Sequence, residues 1–351
     1  MPRLRELGFT IGRFPTGAHN AITDVPAVLV GHSTLLADTP RIARTGVTLI
    51  VPRNGDIWHD YAFAGYHSFN GNGEMTGIAW LEESGMLGSP IGLTNTHQVG
   101  LVRDTLVKVC EERGDLDGFL LPVVAETYDG VLNDINAFHV QEAHVREALA
   151  NARGGAVAEG NVGGGTGMIC HEFKGGIGTS SRLVQVAGQT YTLGVLVQAN
   201  YGLRPNLRLN GIAVGEQIPI ARVPAPWKTP PSSSSIIVII ATDAPLLPVQ
   251  CKRLARRATI GLARVGGSGY NSSGDLFLAF STGNHLTEPS DRLQTVQMVN
   301  HNNLNDLFDA TADATEEAIW NAMTSAETMV GYCGHQVYRV PIEMLLKLRS
   351  A

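Results

Sequence analysis

Val223-Pro-Ala-Pro-Trp-Lys-Thr-Pro-Pro-Ser-Ser-Ser-Ser235 runs without a break into Ile236-Ile-Val-Ile-Ile-Ala241. The first segment carries four prolines and four serines. It cannot form a central strand or a helix, because proline has no amide donor. Its composition predicts an exposed, flexible linker. The second segment is β-branched and continuously apolar, which predicts a strand buried on both faces. A strand is ordinarily entered through a turn. Here a linker meets a core strand with a hydroxyl residue at the seam. Composition alone favours an interdomain linker.

Similar short apolar runs recur at Val47–Val51, Gly77–Leu81, Phe119–Val124, Leu193–Val197 and Leu276–Phe280. Their flanking Gly, Pro, Asn and Asp residues mark them as strands. Helical periodicity predicts helices after Thr96 (a candidate N-cap) to Gly114, over about Ala137–Ala152, after Pro248, and from about Asp313 to Val330. Strands mixed with helices in this way imply α/β layers in which helices cover sheets.

The chain has 351 residues, of which 40 are Gly, 44% are hydrophobic and only 17% are charged. That composition excludes disorder and suggests a large core joined by tight turns. The net charge of −6 favours neither nucleic acid nor an anionic membrane as a partner. The basic run Lys252, Arg253, Arg256, Arg257 fits a solvated helix face opposite Leu254, Ala258 and Leu262. The four cysteines form no Cys-x-x-Cys pair and no disulfide framework, so a reduced, cytoplasmic protein is expected. The start of the chain lacks the apolar core of a signal peptide, and no run is long enough to span a bilayer.

Familiar catalytic patterns are missing. There is no P-loop, no Gly-x-Ser-x-Gly elbow and no His-Glu-x-x-His. The run Gly160-Asn-Val-Gly-Gly-Gly-Thr-Gly167 lacks dinucleotide-binding spacing and reads as a flexible turn. No metal or organic cofactor is expected. By elimination, the serine at the seam draws attention. A cut before Ser235 would give it a free α-amine, whose reference pKa of about 7.7–8.0 suits a general base near neutral pH. A hydroxyl activated by its own N-terminal amine needs no histidine. Linker and N-terminal nucleophile both remain open on spacing alone.

The run Ser235-Ile-Ile-Val-Ile-Ile-Ala-Thr-Asp-Ala-Pro-Leu-Leu-Pro248 resembles the nucleophile strand of the DmpA-type L-aminopeptidase/D-esterase family, which includes the β-peptidyl aminopeptidases. Asn95-Thr-His-Gln-Val-Gly100, Glu126-Thr-Tyr-Asp-Gly130, Gly163-Gly-Gly-Thr-Gly-Met168, Gly178-Thr-Ser-Ser181, Val197-Gln-Ala-Asn-Tyr-Gly202 and Ser272-Ser-Gly-Asp-Leu-Phe277 agree with it in the family's order. The resemblance implies a four-layer α/β/β/α sandwich of the N-terminal-nucleophile type. It implies one domain cut into residues 1–234 and 235–351, and an oligomer, a tetramer of processed units. The implied reaction is hydrolysis of peptides, amides or esters bearing a free N-terminal amine.

Position by position, the resemblance assigns Ser235 as nucleophile and Asn200 as oxyanion-hole amide, with the Tyr128 hydroxyl beside it. Glu126 becomes the carboxylate that holds the substrate's ammonium. Ser273 is a second serine near the nucleophile, and Asp275 falls where some members carry Glu. Each has a plainer reading: Glu126 and Asp129 as turn residues, Tyr128 as a core aromatic, Asn200 as a turn cap, Ser273 and Asp275 as brackets of a turn at Gly274. The family usually has Gly before the nucleophile, where this chain has Ser234. Four consecutive serines leave the register of the cut open; Ser235 is chosen because it adjoins Ile236-Ile-Val. Alternatives on the same fold are an ω-amino-acid oligomer amidase and an acyltransferase. A non-catalytic binding protein is the alternative from another class.

Overall fold

A computed structural model describes residues 1–116, 118–227, 234–287 and 292–349. Its first sheet has the order β1 (Leu29–Ala37), β2 (Ala43–Val51), β5 (Ile91–Asn95), β6 (Val123–Thr127). The second has six strands in the order β4 (Met86–Leu87), β3 (Ala62–Gly71), β12 (Ser273–Ser281), β11 (Ser234–Thr242), β10 (Gln189–Asn200), β9 (Gly176–Val186). Two short hairpins complete the strands: β7 (Ile169–Cys170) with β8 (Phe173–Lys174), and β13 (Met329–Val330) with β14 (Gln336–Val337).

The apolar residues sort themselves into layers. Ile50, Leu93 and Ala125 of the first sheet meet Leu196, Ile237, Ile239 and Leu278 of the second. Val47, Leu49 and Val124 face the other way, against α2 (Val99–Glu112) and α3 (Glu142–Ala150). Ile236, Val238, Ile240 and Phe277 face α4 (Pro248–Val265) and α5 (Asn305–Thr324). Strand alternation thus feeds separate cores from one strand. The result is the expected α/β/β/α sandwich. β11 lies inside its sheet, between β10 and β12, and every residue from Ser235 to Thr242 is buried. That explains the unbroken apolar run. It also accounts for the low charge of the chain, since two sheets buried on both faces leave few positions for charged residues.

Several local expectations need correction. Gly77–Leu81 is not a strand: α1 (Ile78–Ser84) starts there, after Gly77 in the left-handed region, burying Leu81 while Trp80 stays exposed. A short apolar run cannot distinguish the two by periodicity. Phe119–Val124 yields a strand only from Val123, because Pro122 cannot donate to a ladder. The helix near Ala137 begins at Glu142, after Phe138 takes a left-handed conformation. α5 starts at Asn305 and ends at Thr324, leaving Met329-Val330 to a short strand. Thr96 is not the cap of α2; Gln98 holds that position. The glycine run at 160–167 is not a loose turn, since Gly163–Gly165 is a fully buried 3-10 turn.

The linker is only partly as expected. Val223 is buried and its carbonyl accepts from Arg204, so the segment is anchored at its start. Residues 228–233 of it, including Ser232 and Ser233, lie outside the described residues. All four cysteines are free thiols, three of them buried. On α4, Lys252 pairs with Glu82, while Arg253 and Arg257 lie over the Phe308 ring. No helix among the described residues is long and apolar enough to cross a membrane.

Candidate active site

The site forms where the second sheet ends. Antiparallel pairing sets Asn200 opposite Ser235, and parallel pairing sets Gly274 beside Ser235 and Ser273 beside Ser234. Ser235 alternates with Ile237 and Ile239, so its side chain shares the face turned toward the first sheet. Its hydroxyl is 2.6 Å from the carbonyl oxygen of Ser234, to which it donates. That carbonyl belongs to the peptide bond whose cleavage would free the Ser235 amine.

The Asn200 amide is held at both ends. Its Oδ1 accepts from the Ile169 N–H at 2.8 Å, and its Nδ2 donates to the Tyr128 carbonyl at 2.9 Å. Because the backbone N–H can only donate, the amide has one orientation, and a second Nδ2 proton is left over. A cavity of about 280 Å³ opens here, bounded by Tyr128, Asn200 and Ser234 together with Ile169, Trp227 and Tyr270. Among the described residues nothing hydrogen-bonds the Tyr128 hydroxyl. The Asn200 amide with its spare proton and the Tyr128 phenol therefore adjoin one cavity of mainly apolar walls, reached by the chain at Ser234, one residue before Ser235.

Tyr128 owes its place to its two neighbours. A methyl group on Gly130 would come within 2.3 Å of the Tyr128 hydroxyl oxygen, so glycine is required for space rather than for its dihedrals. On the role the resemblance assigns to Tyr128, Gly130→Ala is expected to displace the ring and lower kcat by about tenfold, a fraction of what loss of a full oxyanion donor costs, with little change in melting temperature. Steady-state kinetics alongside a thermal melt would check it.

Asp129 is no ordinary turn residue. It is fully buried; its Oδ1 accepts from Asn133 Nδ2 at 3.1 Å, and Asn95 and Thr45, bonded to each other, lie near it. Burial raises its pKa from 3.8 to about 7. A carboxyl group with a raised folded pKa binds its proton more tightly when folded, so its contribution to stability falls as pH rises from about 4 to 7. Asp129→Asn should therefore raise the melting temperature more at pH 8 than at pH 5. An equal shift at both values would refute the sign.

Glu126 is buried one residue from the end of β6. It accepts from the Glu74 N–H at 3.0 Å and from the Thr96 hydroxyl, and burial pushes its pKa up. A methyl group on Gly73 would sit 3.2 Å from both a Glu126 oxygen and the Gly274 Cα. The carboxylate thus lies close behind the strand that flanks Ser235. Among the described residues it pairs with no Lys or Arg, and it does not border the cavity shared by Asn200 and Tyr128.

Ser273 and Asp275 form a hydrogen-bonded pair, Oγ to Oδ1 at 2.6 Å. They do not bracket a turn, because Gly274 lies within β12. Asp275 also accepts the Ile236 N–H, and burial raises its pKa to about 6. Alternation puts both on the helix-facing side with Phe277, opposite the Ser235 hydroxyl. The structure brings Asn200 and Tyr128 together around one cavity that Ser234 also borders, and strand pairing sets Ser235 opposite Asn200 at its edge. It sets Asp275 one residue along the backbone from the Ser235 nitrogen. Sequence reasoning missed the Ile169 amide, Trp227 and Tyr270. Backbone amides carry no sequence signal, and isolated aromatics read as core.

Comparison with known proteins identifies the family and the fold. The model of peptidase family S58 matches residues 20–337. The chain is 45% identical to a β-peptidyl aminopeptidase (BapA) of Sphingosinicella microcystinivorans, over 97% of this chain and 90% of that one. It superimposes on a Burkholderia sp. β-aminopeptidase with a TM-score of 0.93 at 50% identity, covering 99% of each. The L-aminopeptidase D-Ala-esterase/amidase of Ochrobactrum anthropi, described as a variant of the Ntn hydrolase fold, matches at 0.91 with 45% identity, covering 100% of this chain and 99% of that one.

Proposed function

The chain belongs to peptidase family S58 and is an aminopeptidase, and from that premise we propose that Ser235 is its nucleophile, released by a cut between Ser234 and Ser235. The observation that carries this reading is the 2.6 Å contact of the Ser235 hydroxyl with the Ser234 carbonyl, opposite Asn200. In the cut, Ser235 Oγ attacks the Ser234 carbonyl carbon and the C–N bond breaks, leaving an ester and a free amine. Water then hydrolyses the ester. The products are fragments 1–234 and 235–351, held together by ladders on both sides of β11.

In turnover the same hydroxyl attacks the substrate's carbonyl carbon. The Ser235 α-amine takes the hydroxyl proton and passes it to the leaving amine. The spare Asn200 N–H and the Tyr128 hydroxyl donate to the oxyanion. Water, deprotonated by the same amine, then releases the acyl group. Glu126 holds the substrate's ammonium. A buried carboxylate that pairs with no Lys or Arg among the described residues gains from an arriving cation. Ser273 steadies Asp275, whose carboxylate, fixed at the Ile236 N–H, supports the charge of the neighbouring amine.

The substrates are peptides, amides or esters with a free N-terminal amine on an α- or β-amino acid. A homo-oligomer of processed units in a reducing, cytoplasmic compartment completes the reading. The exposed Trp80 and Phe119, beside one groove with Tyr61, and four free thiols support it. Intact mass of the purified protein should show two fragments, the smaller beginning at Ser235. Alanyl or β-alanyl anilides should be hydrolysed and their N-acetylated forms should not. A single whole chain without turnover would sink the proposal.

A further inference from the structure

Lys174 is fully buried on the β7–β8 hairpin. Its Nζ donates to the carbonyls of Met168 at 2.8 Å, Gly175 at 2.9 Å and Gly165 at 3.4 Å. No carboxylate pairs with it among the described residues. Burial pulls its pKa down to about 7, yet three acceptors match the three protons of an ammonium, whereas a neutral amine would turn its lone pair on a carbonyl, so the geometry favours the charged form. Burying a cation without a counter-charge costs several kcal/mol, and a methionine would fill the same space without that cost. Packing alone does not explain this side chain.

The peptide unit it grips does. The Met168 carbonyl and the Ile169 N–H belong to one planar amide. Lys174 holds the oxygen at 2.8 Å, and the N–H on the other side holds Asn200 Oδ1 at 2.8 Å. Asn200 Nδ2 in turn holds the Tyr128 carbonyl at 2.9 Å. We propose that Lys174 is a positioning residue for the oxyanion hole, acting on Asn200 through the Met168–Ile169 peptide. The inference rests on the reading that Asn200 donates to the oxyanion. A cation on the carbonyl makes the N–H a stronger donor, and the amide accepting from it becomes a stronger donor at its own nitrogen, since chains of hydrogen bonds polarise one another. Positive charge at the start of the chain also favours negative charge arriving at its end. The buried turn Gly163–Gly165 supplies the third carbonyl from the interior, so the ammonium is fixed from several directions.

The test is a double-mutant cycle of Lys174→Met and Asn200→Ala in the full chain. Turnover of an alanyl or β-alanyl anilide is read per processed molecule, with processing counted by intact mass. Lys174→Met is expected to lower kcat about tenfold while KM stays within about twofold, and to cost nothing further in the Asn200→Ala background. The same loss in both backgrounds, or no loss in either, overturns the proposal. Lys174→Gln keeps a donor for the carbonyls without the charge, and serves if the methionine variant does not fold. If neither folds, the ammonium is holding the fold and the proposal fails. Full activity of Asn200→Ala alone would instead overturn the assignment of Asn200, a different result.

Discussion

Ser235→Ala should remain one chain of 351 residues and should not turn over substrate. The same oxygen serves two reactions in this reading, the cut that creates the N-terminus and the attack on substrate. Removing it abolishes both. Loss of a nucleophile that works as a unit with its base lowers kcat by about 10⁶. Folding should hardly notice. The hydroxyl's hydrogen bond goes to the carbonyl of the residue before it, and β11 stays paired on both edges. Intact mass and a thermal melt check both halves. Fragments from the alanine variant would move the nucleophile to another serine of the run.

Asn200→Ala carries the second large effect. In the proposed mechanism it removes a preorganised donor from the oxyanion, a loss worth about 10²–10³ in kcat. KM should change little, because the donor acts where charge develops. Unlike the first variant, this one should also lose stability. The Ile169 N–H and the Tyr128 carbonyl each lose a partner, at about 1–3 kcal/mol for each group left unsatisfied. Slower cutting is expected too, since the cut passes through an oxyanion of its own. Activity is therefore measured per processed molecule. An unchanged kcat with a lowered melting temperature would reduce Asn200 to a brace for the Tyr128 turn.

Much of the site was legible because its residues lie in local patterns. Ser235 stands at a composition boundary, and Glu126-Thr-Tyr-Asp-Gly130 is a compact block. The relations between blocks were not. Asn95 and Thr45 lie far from Asp129 in sequence and meet it only in the interior, where together they turn an apparent turn carboxylate into a buried one. Lys174 gave no signal at all. A lone lysine between a phenylalanine and two glycines reads as a solvated residue, and only the closing of the 165–170 loop around it shows otherwise. Helix ends were misplaced for a related reason. Thr96 has the chemistry of a cap, yet tertiary contact gives its hydroxyl to Glu126.

The amino-acid sequence alone determined the layers and the seam. Alternation and unbroken apolar runs depend on neighbours along the chain, and so does proline's exclusion from a ladder. Tertiary structure decided which groups meet: Ser235 with Asn200 across a strand pair, Glu126 behind Gly274, and Asp275 at the Ile236 N–H on the face opposite the Ser235 hydroxyl. Hydrogen bonds and burial act over a few ångströms in space regardless of separation along the chain, so those contacts exist only once the sheets have stacked.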